Sequence, residues 1–467
     1  QGSSACRSSF RRPRHDEAAM ASRLFLASFA ATALASEPSA VDGGKVSCTT
    51  GWDNCRSTRC CATAGHKCFA KGDYWGSCME TCTPGIHETD PEEYRTPWSC
   101  EVLESVEFKF KGSQLPAGFR PPPGSPADVH GHIRVEGSQL VGKHDQPVRL
   151  RGMSLFWSQW GGKYWNAGVI DWLVKDWGIT MIRAAMGVES GGYLENHQVE
   201  KEKLVEVVDA AIRNGIYVVI DWHDHHAEPH VEEAKAFFAE MSAIYGHYPN
   251  VFFEIFNEPL QESWETDIMP YEQQIVDTIR RHSGNLIICG TRTWSQDVDL
   301  AADKPLKGFN LAYTLHFYAA YHKESLREKA RVALSKGIAL FASEWGTCYF
   351  DGNGQLDLNE TNIWLDFLAE HNISDANWAL NDKDEACSAL LPGTQNKANW
   401  STDVLTDSGR FVRSHLKSTR EAETKKPAEE EGAAEPLDQI SSAQGVHILF
   451  TLVLSLLAMG MTANLRA

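Results

Sequence analysis

The sequence has few basic residues for its length. Its 467 residues contain 44 Lys and Arg against 62 Asp and Glu, a formal net charge of −18. Because nucleic-acid binding depends on basic side chains that neutralise phosphates, this balance argues against a nucleic-acid partner. Hydrophobic residues make up 42% of the chain and charged residues 23%. That composition excludes both a disordered chain and a polytopic membrane protein.

Long uninterrupted apolar runs are also missing, except near the two ends. The basic Arg23, an apolar run and the small-residue site Ala33-Leu34-Ala35 predict a secretory signal over 20–35. At the other end, an acidic linker over 419–445 precedes an apolar tail over 446–467. The tail fits either a lipid-anchor signal or a single membrane span. We therefore expect an exported monomer that is secreted or tethered to a membrane through this tail.

Cysteine is scarce outside one short module at 48–100. Eight of the 12 cysteines lie there: Cys48, Cys55, Cys60, Cys61, Cys68, Cys78, Cys82 and Cys100. So small an exported unit cannot bury enough apolar surface alone, which predicts a disulfide-rich fold. The alternative is a zinc site, but adjacent Cys60 and Cys61 and the lack of a repeated C-x-x-C argue against it. The connectivity stays open at this level.

The same module carries Trp52, Tyr74, Trp75 and Trp98. It resembles the small cystine-rich carbohydrate-binding modules in which exposed flat rings stack on glucan chains. Packing of Trp52 or Trp75 in the core is the competing interpretation. A Pro-rich linker over 101–128 separates the module from the rest of the chain.

From 129 to 418 apolar strand-like runs alternate with amphipathic helical stretches such as Glu200–Asn214 and Glu232–Tyr245. The candidate strands are Val148–Met153, Thr180–Ala185, Tyr217–Trp222, Val251–Phe256, Leu286–Gly290, Ala312–Phe317, Ala339–Ser343 and Asp375–Ala379. A doubly wound sheet would also alternate, but no G-x-G-x-x-G follows the first strand. We therefore predict the α/β class, with a (β/α)8 TIM barrel after the small disulfide-rich module.

Ionisable residues gather at the C-terminal ends of these strands, where barrel enzymes hold their active sites. Glu258 follows the fourth strand and Glu344 ends the seventh, on opposite sides of the barrel mouth. Hydrolysis of a glycosidic bond needs such a pair, because one carboxyl group protonates the leaving oxygen while the other attacks or activates water. This chemistry requires no cofactor and no metal, so the neighbouring His225, His226 and His230 are not assigned a metal.

Residues 129–418 resemble glycoside hydrolase family 5, particularly its bacterial-type endoglucanases. The matching segments are LRGMS (150–154), IRAAM (182–186), VIDWH (219–223), FNEP (256–259), TWSQDV (293–298), HFYA (316–319), SEWGT (343–347) and NDKDEACSALLPG (381–393). The resemblance implies a retaining endo-β-1,4-glucanase that hydrolyses cellulose or related β-glucans by double displacement. It makes Glu258 the acid/base and Glu344 the nucleophile.

The resemblance also implies a substrate-binding set. Asn257 would hold the 2-hydroxyl of the sugar, while Arg183 and Tyr318 would hydrogen-bond Glu344. The other expected contacts with the polysaccharide are His223, His316, Trp378, Trp160, Trp294, Lys383 and Glu385.

The chain departs from the family pattern at two positions. Phe156 and Gly187 stand where a His and a Tyr are common. A preference for mannan, xyloglucan or mixed-linkage glucan therefore stays open, as does a non-catalytic cellulose-binding surface protein. Among the remaining cysteines, Cys348 and Cys387 are expected to form a disulfide at the cleft rim, and Cys289 to be a buried free thiol.

Overall fold

The structure is a computed structural model that describes residues 49, 55, 59–72, 75–103, 112–395 and 397–432. The predicted signal, the apolar tail, Cys48, Trp52 and Tyr74 lie outside the described residues. Within those ranges, no helix has the length and apolar character needed to cross a membrane.

The described part of the cystine-rich module is a small antiparallel sheet held by disulfides. Its strands are Lys67–Ala70, Gly76–Met79 and Glu101–Val102, and one helical turn covers Glu92–Tyr94. The disulfides are Cys55–Cys68, Cys61–Cys78 and Cys82–Cys100. Cys60 is disulfide-bonded as well. The prediction of a disulfide-rich unit is thereby confirmed.

The aromatic residues of the module divide between core and surface. Trp98 is buried, donates from Nε1 to Oδ2 of Asp90 at 2.8 Å, and stacks on His87 with ring centroids 5.2 Å apart. Lys71 completes this group through an ion pair with Asp90 at 2.7 Å. Trp75, by contrast, is 42% exposed. Trp98 therefore belongs to the core of the module, whereas Trp75 lies on its surface.

Eight parallel strands form a closed barrel, as the sequence predicts. They are β1 Arg151–Leu155, β2 Met181–Gly187, β3 Tyr217–His223, β4 Val251–Glu254, β5 Ile287–Cys289, β6 Leu311–Thr314, β7 Ala339–Gly346 and β8 Ser374–Leu380. Each strand pairs with the next, and β8 pairs with β1 to close the ring. A two-residue strand after β6, Phe317–Tyr318, also pairs with β7.

One main helix follows each strand on the outside of the barrel. They are α1 Ala167–Trp172, α2 Tyr193–Asn214, α3 Val231–Tyr245, α4 Met269–Ile279, α5 Val298–Asp303, α6 Glu324–Ser335, α7 Leu358–Glu370 and α8 Asp407–Gly432. Helix α8 continues beyond 418 into the segment expected as a linker, because its Glu, Lys and Ala residues favour helix.

Shorter elements complete the described chain. A hairpin of Arg134–Glu136 and Gln139–Val141 packs Ile133 and Leu140 against the interior residues at one end of the barrel. The remaining helical turns are Pro126–His130, Ser158–Gly161, Gly162–Tyr164, Leu173–Trp177, Glu228–His230, Trp264–Ile268, Arg292–Ser295 and Thr402–Val404.

Strand alternation determines which side chains reach the barrel interior. In β2, Ile182, Ala184 and Met186 belong to the large apolar core between strands and helices. Arg183 lies between them in sequence and, because successive side chains of a strand point to opposite faces, projects into the barrel. It is fully buried there. The fold thus places a permanent positive charge beneath the mouth of the barrel.

Candidate active site

Arg183 contacts polar groups from several strands at once. Its Nε donates to Oε2 of Glu254 at 2.7 Å, and its Nη1 donates to Oε2 of Glu344 at 2.9 Å. Its Nη2 donates to Oδ1 of Asn257 at 2.7 Å and lies 3.0 Å from Oδ2 of Asp221. The planar guanidinium therefore fixes Glu344 and Asn257 from below. Because its oxygen is held by Arg183, Asn257 turns its amide NH2 group towards the cleft.

Glu344, at the end of β7, is almost fully buried yet lines the cleft. Besides the bond from Arg183, it accepts a hydrogen bond from the Tyr318 hydroxyl at 2.7 Å on Oε1. Burial and then the negative charge of Glu258 raise the pKa of Glu344, while His316, Arg183 and Tyr318 act in the opposite direction. The protonation state of Glu344 thus depends on that of Glu258.

Glu258 follows β4 and has histidines on two sides. Nδ1 of His316 lies 3.0 Å from its Oε1, and Nε2 of His225 lies 3.3 Å from its Oε2. Burial raises the pKa of Glu258, but the hydrogen bonds from His225 and His316 outweigh it and hold this pKa below its usual range. One oxygen of Glu258 and one oxygen of Glu344 lie within 4.8 Å of each other.

A chain of hydrogen bonds connects Glu258 to the barrel interior. Nε2 of His316 lies 2.9 Å from the Ser343 hydroxyl, which donates to Oε1 of Glu254 at 2.6 Å. Burial lowers the pKa of His316, but its contacts with Glu254 and Glu258 outweigh burial and raise this pKa to about 9. At neutral pH the His316 imidazolium therefore donates from both ring nitrogens.

This raised pKa makes stability depend on alkaline pH. His316 binds its proton more tightly in the folded chain than in the unfolded chain, so its contribution is complete below the ordinary value of 6.5 and is lost as pH rises through about 9. We expect wild type to lose about 3 kcal/mol more than His316→Gln between pH 6.5 and 9.5. Urea unfolding at both pH values measures this difference. Equal losses in the two proteins would contradict the assignment.

Aromatic rings form a wall of the cleft. Trp378, whose bond to Ala379 is cis, stacks on His223 with centroids 5.1 Å apart and an interplanar angle of 12°. Nδ1 of His223 lies 2.7 Å from Oδ2 of Asp221, which fixes the ring. Trp157 meets His223 edge-on at 4.1 Å and contacts Trp160 at 5.1 Å. Asp221 therefore acts as a structural partner of His223.

The cleft brings together most of the predicted site residues. It is lined by Trp160, His223, Asn257, Glu258, Tyr318, Glu344, Trp378, Lys383 and Glu385. Lys383 and Glu385 form an ion pair at 2.7 Å. Arg183 and His316 lie beneath this surface, so they position other groups and do not line the cleft. Trp294 also lies outside this lining, on a left-handed turn that leaves it 42% exposed.

Several residues of the site were not assigned from sequence. Glu254 and Ser343 hold Arg183 and His316, His225 faces Glu258, and Trp157 joins the aromatic wall. Glu254 could have been noticed in the sequence because it is the single acidic residue of the otherwise apolar segment Val251–Phe256. His225 could have been noticed because it lies in a short segment with two further histidines, His226 and His230.

The two departures from the family pattern have a structural counterpart. Phe156 packs against Trp378 with ring centroids 5.5 Å apart. A Cβ atom at Gly187 would lie 1.8 Å from Oε1 of Gln159, so Gln159 fills the space that a larger residue would need. The expected disulfide Cys348–Cys387 is present and packs in one buried cluster with Phe156, Tyr318 and Trp378, and Cys289 is a buried free thiol.

Curated endoglucanases are among the proteins that this chain is similar to. The chain is 51% identical over 291 residues to endoglucanase Z of Dickeya dadantii, covering 61% of this chain and 66% of that protein. It is 48% identical over 279 residues to endoglucanase A of Evansella cellulosilytica, covering 58% and 57%. The matched region thus spans less than two-thirds of either relative.

A solved structure from Cytophaga hutchinsonii is 46% identical, has a TM-score of 0.64, and is matched over 65% of this chain and 99% of that chain. The family described as cellulase (glycosyl hydrolase family 5) matches residues 141–384, which is more than half of the sequence. The chain therefore belongs to glycosyl hydrolase family 5.

Proposed function

We propose that this chain is a retaining endo-β-1,4-glucanase that hydrolyses cellulose or related β-glucans. The observation that carries the proposal is the placement of Glu258 and Glu344 in one open cleft, with carboxyl oxygens within 4.8 Å. Retaining glycosidases place these groups about 5–5.5 Å apart, whereas inverting enzymes need about 6.5–9.5 Å to admit a water. The spacing therefore favours direct attack by a carboxylate.

In the proposed first step, Glu258 donates a proton to the glycosidic oxygen while a carboxylate oxygen of Glu344 attacks the anomeric carbon. The bond to the leaving sugar breaks, and a glycosyl ester forms on Glu344. In the second step Glu258, now ionised, takes a proton from water, and the resulting hydroxide displaces Glu344 from the anomeric carbon. In both steps the NH2 group of Asn257 would hold the sugar's 2-hydroxyl.

The first step requires a proton on Glu258, but His225 and His316 hold the pKa of Glu258 below its usual range. We propose that bound sugar excludes water and thereby favours the neutral form of the His316–Glu258 pair, with the proton moved from Nδ1 to Oε1. Protonation of Glu258 then removes the charge that raises the pKa of Glu344, and neutralisation of His316 removes a smaller opposing effect, so the pKa of Glu344 falls. Glu344 would in this way become the ionised member of the pair when substrate is present.

The proposed activity is tested with purified full-length protein on carboxymethylcellulose, mixed-linkage glucan, xyloglucan and mannan. We expect reducing ends to appear on carboxymethylcellulose together with a steep fall in viscosity, because internal cleavage shortens chains quickly. Slow loss of viscosity with steady sugar release would contradict endo action. No release from any polymer would favour the binding-protein alternative.

Replacing Glu258 by Ala tests the acid/base assignment. We expect hydrolysis of cellulose-type substrates to slow by about 10²–10⁴-fold, because the leaving oxygen is no longer protonated. An aryl cellobioside with a phenol of low pKa should still form the glycosyl ester. Added azide needs no base, so it should attack that ester and yield a β-cellobiosyl azide detectable by NMR. An α-configured azide would instead assign the nucleophile to Glu258.

The export signal, the membrane tether, the monomeric state and the sugar-binding role of the cystine-rich module remain predictions. Exposed Trp75 supports that last role, because a ring on the surface of a small disulfide-held unit can stack on a glucan chain.

A further inference from the structure

A group of side chains of the types that bind metals lies at the rim of the cleft. The proposed hydrolysis does not use this group. His226 and His230 belong to the loop after β3, and Glu189 belongs to the loop after β2. Asp224 directly follows β3. His230 ends the helical turn Glu228–His230 and lies next to the start of α3, and His226 precedes it by four residues in the loop.

The distances between these groups leave room for an ion. Nδ1 of His226 lies 3.6 Å from Oε2 of Glu189, and Nε2 of His230 lies 3.8 Å from Oε1 of the same residue. Both separations are too long for a hydrogen bond. Two atoms that bind one zinc-like ion at about 2.0–2.2 Å lie about 3–4 Å from each other. Each imidazole is therefore spaced from Glu189 as two ligands of one ion are from each other, and Glu189, Asp224 and His230 each bring one ligand atom within 4.8 Å of the others.

Asp224 orients this arrangement from behind. It is buried, and its Oδ2 lies 3.1 Å from Nδ1 of His230. Because a carboxylate only accepts, Nδ1 carries the hydrogen, and the lone pair of Nε2 points towards Glu189. The other oxygen, Oδ1, accepts the backbone N–H of His226 at 3.0 Å and fixes the loop. A carboxylate behind a histidine is the usual support of a metal-binding imidazole.

We propose that Glu189, His226 and His230 bind a divalent transition-metal ion, with Asp224 as the orienting partner. Two imidazoles and one carboxylate suit zinc, cobalt or manganese, and would leave further coordination positions to water on the side of the cleft. The ion would join the loops after β2 and β3. Glu189 and His226 line the cleft, so it would lie beside the bound polysaccharide without contacting Glu344. This proposal does not depend on the proposed glucanase activity.

The test is titration of the full-length protein with Zn²⁺ by calorimetry and with Co²⁺ by visible absorption. We expect one ion per chain and a rise in Tm with Zn²⁺. His230→Gln and Glu189→Gln should each weaken binding of the ion about tenfold or more. Removal of a group that only supports a metal ligand already weakens affinity by this amount. Circular dichroism of each variant shows whether it folds. The exposed His282 lies outside this cluster, so His282→Gln should bind as wild type does.

A competing location is the catalytic group itself, because Glu258, His316 and Glu344 also lie within 4.8 Å of one another. Binding should therefore be retained in Glu344→Gln. Loss of binding in Glu344→Gln with no change in His230→Gln would overturn the proposal. So would wild-type protein that shows no bound ion, or equal affinity in wild type, His230→Gln and Glu189→Gln.

Discussion

Replacing Glu344 by Gln is expected to lower kcat on cellulose-type substrates by about 10⁴-fold or more while binding of cello-oligosaccharides persists. Loss of a nucleophile is among the costliest single changes in an enzyme, reaching about 10⁶-fold in kcat. Gln cannot form the glycosyl ester, but it fills the same volume and can still contact Arg183 and Tyr318. The measurement is initial reducing-sugar release alongside calorimetric titration with cellotetraose.

The exposed Glu370 at the end of α7 offers a matched control. Glu370→Gln makes the same chemical change outside the cleft, so its kcat should equal that of wild type. Substantial activity in Glu344→Gln, after removal of any wild-type contaminant, would exclude Glu344 as nucleophile. Loss of both activity and sugar binding would indicate that the variant disturbs the cleft as a whole.

The barrel could be predicted from the sequence because hydrophobic periodicity is a local property. Every predicted strand overlaps an observed one, and differences are confined to the ends. The pattern starts the first strand at Val148, whereas β1 begins at Arg151. Val148 is apolar and buried, but its N–H bonds to Leu140 of the hairpin. From the sequence alone, a residue that is buried by a hairpin cannot be distinguished from a residue that is buried in a barrel strand.

The site was predictable to the extent that its residues sit at strand ends. Glu258 and Glu344 stand out because packing does not explain two glutamates, one shortly after β4 and one near the end of β7. Contacts across the barrel could not be predicted in this way, because they depend on strand register. The bond from Arg183 to Glu254 joins residues of β2 and β4, and no spacing in the sequence encodes it.

Loop residues pose a different difficulty. His225 and His226 are neighbours in sequence, yet His225 faces Glu258 whereas His226 faces Glu189. An irregular loop has no periodicity from which such directions follow. Gly187, at the end of β2, is a related case, because the space beside it is filled by the side chain of Gln159 from the helical turn Ser158–Gly161. The sequence therefore predicts which segments contain the functional residues better than it predicts which of their atoms are in contact.

Replacing Arg183 by Met is expected to lower the free energy of unfolding by about 3–5 kcal/mol, the usual cost of removing one partner from a buried ion pair. Arg183 is fully buried and lies against Asp221, Glu254 and Glu344, so its loss leaves these carboxyl groups without their cation. Arg183→Lys keeps the charge but cannot reproduce the planar fork, and should lose less stability. Urea unfolding measures both effects.

Arg331 on α6 is the matched control, because it is partly exposed and also pairs with two acidic residues, Glu324 and Glu328. Surface pairs of this kind contribute about 0–1 kcal/mol, so Arg331→Met should be nearly neutral. Equal destabilisation by Arg183→Met and Arg331→Met would refute a central role for Arg183 in stability.

The Arg183→Lys variant also separates a catalytic effect from a structural one. Arg183 acts to lower the pKa of Glu344, so weakening their contact should raise that pKa. More Glu344 is then protonated at a given acidic pH, and the acidic limb of the kcat profile should move to higher pH. A role in stability alone would lower the amount of folded enzyme without moving this limb. The pH profile of kcat at saturating substrate therefore decides whether Arg183 tunes the nucleophile or only supports the barrel.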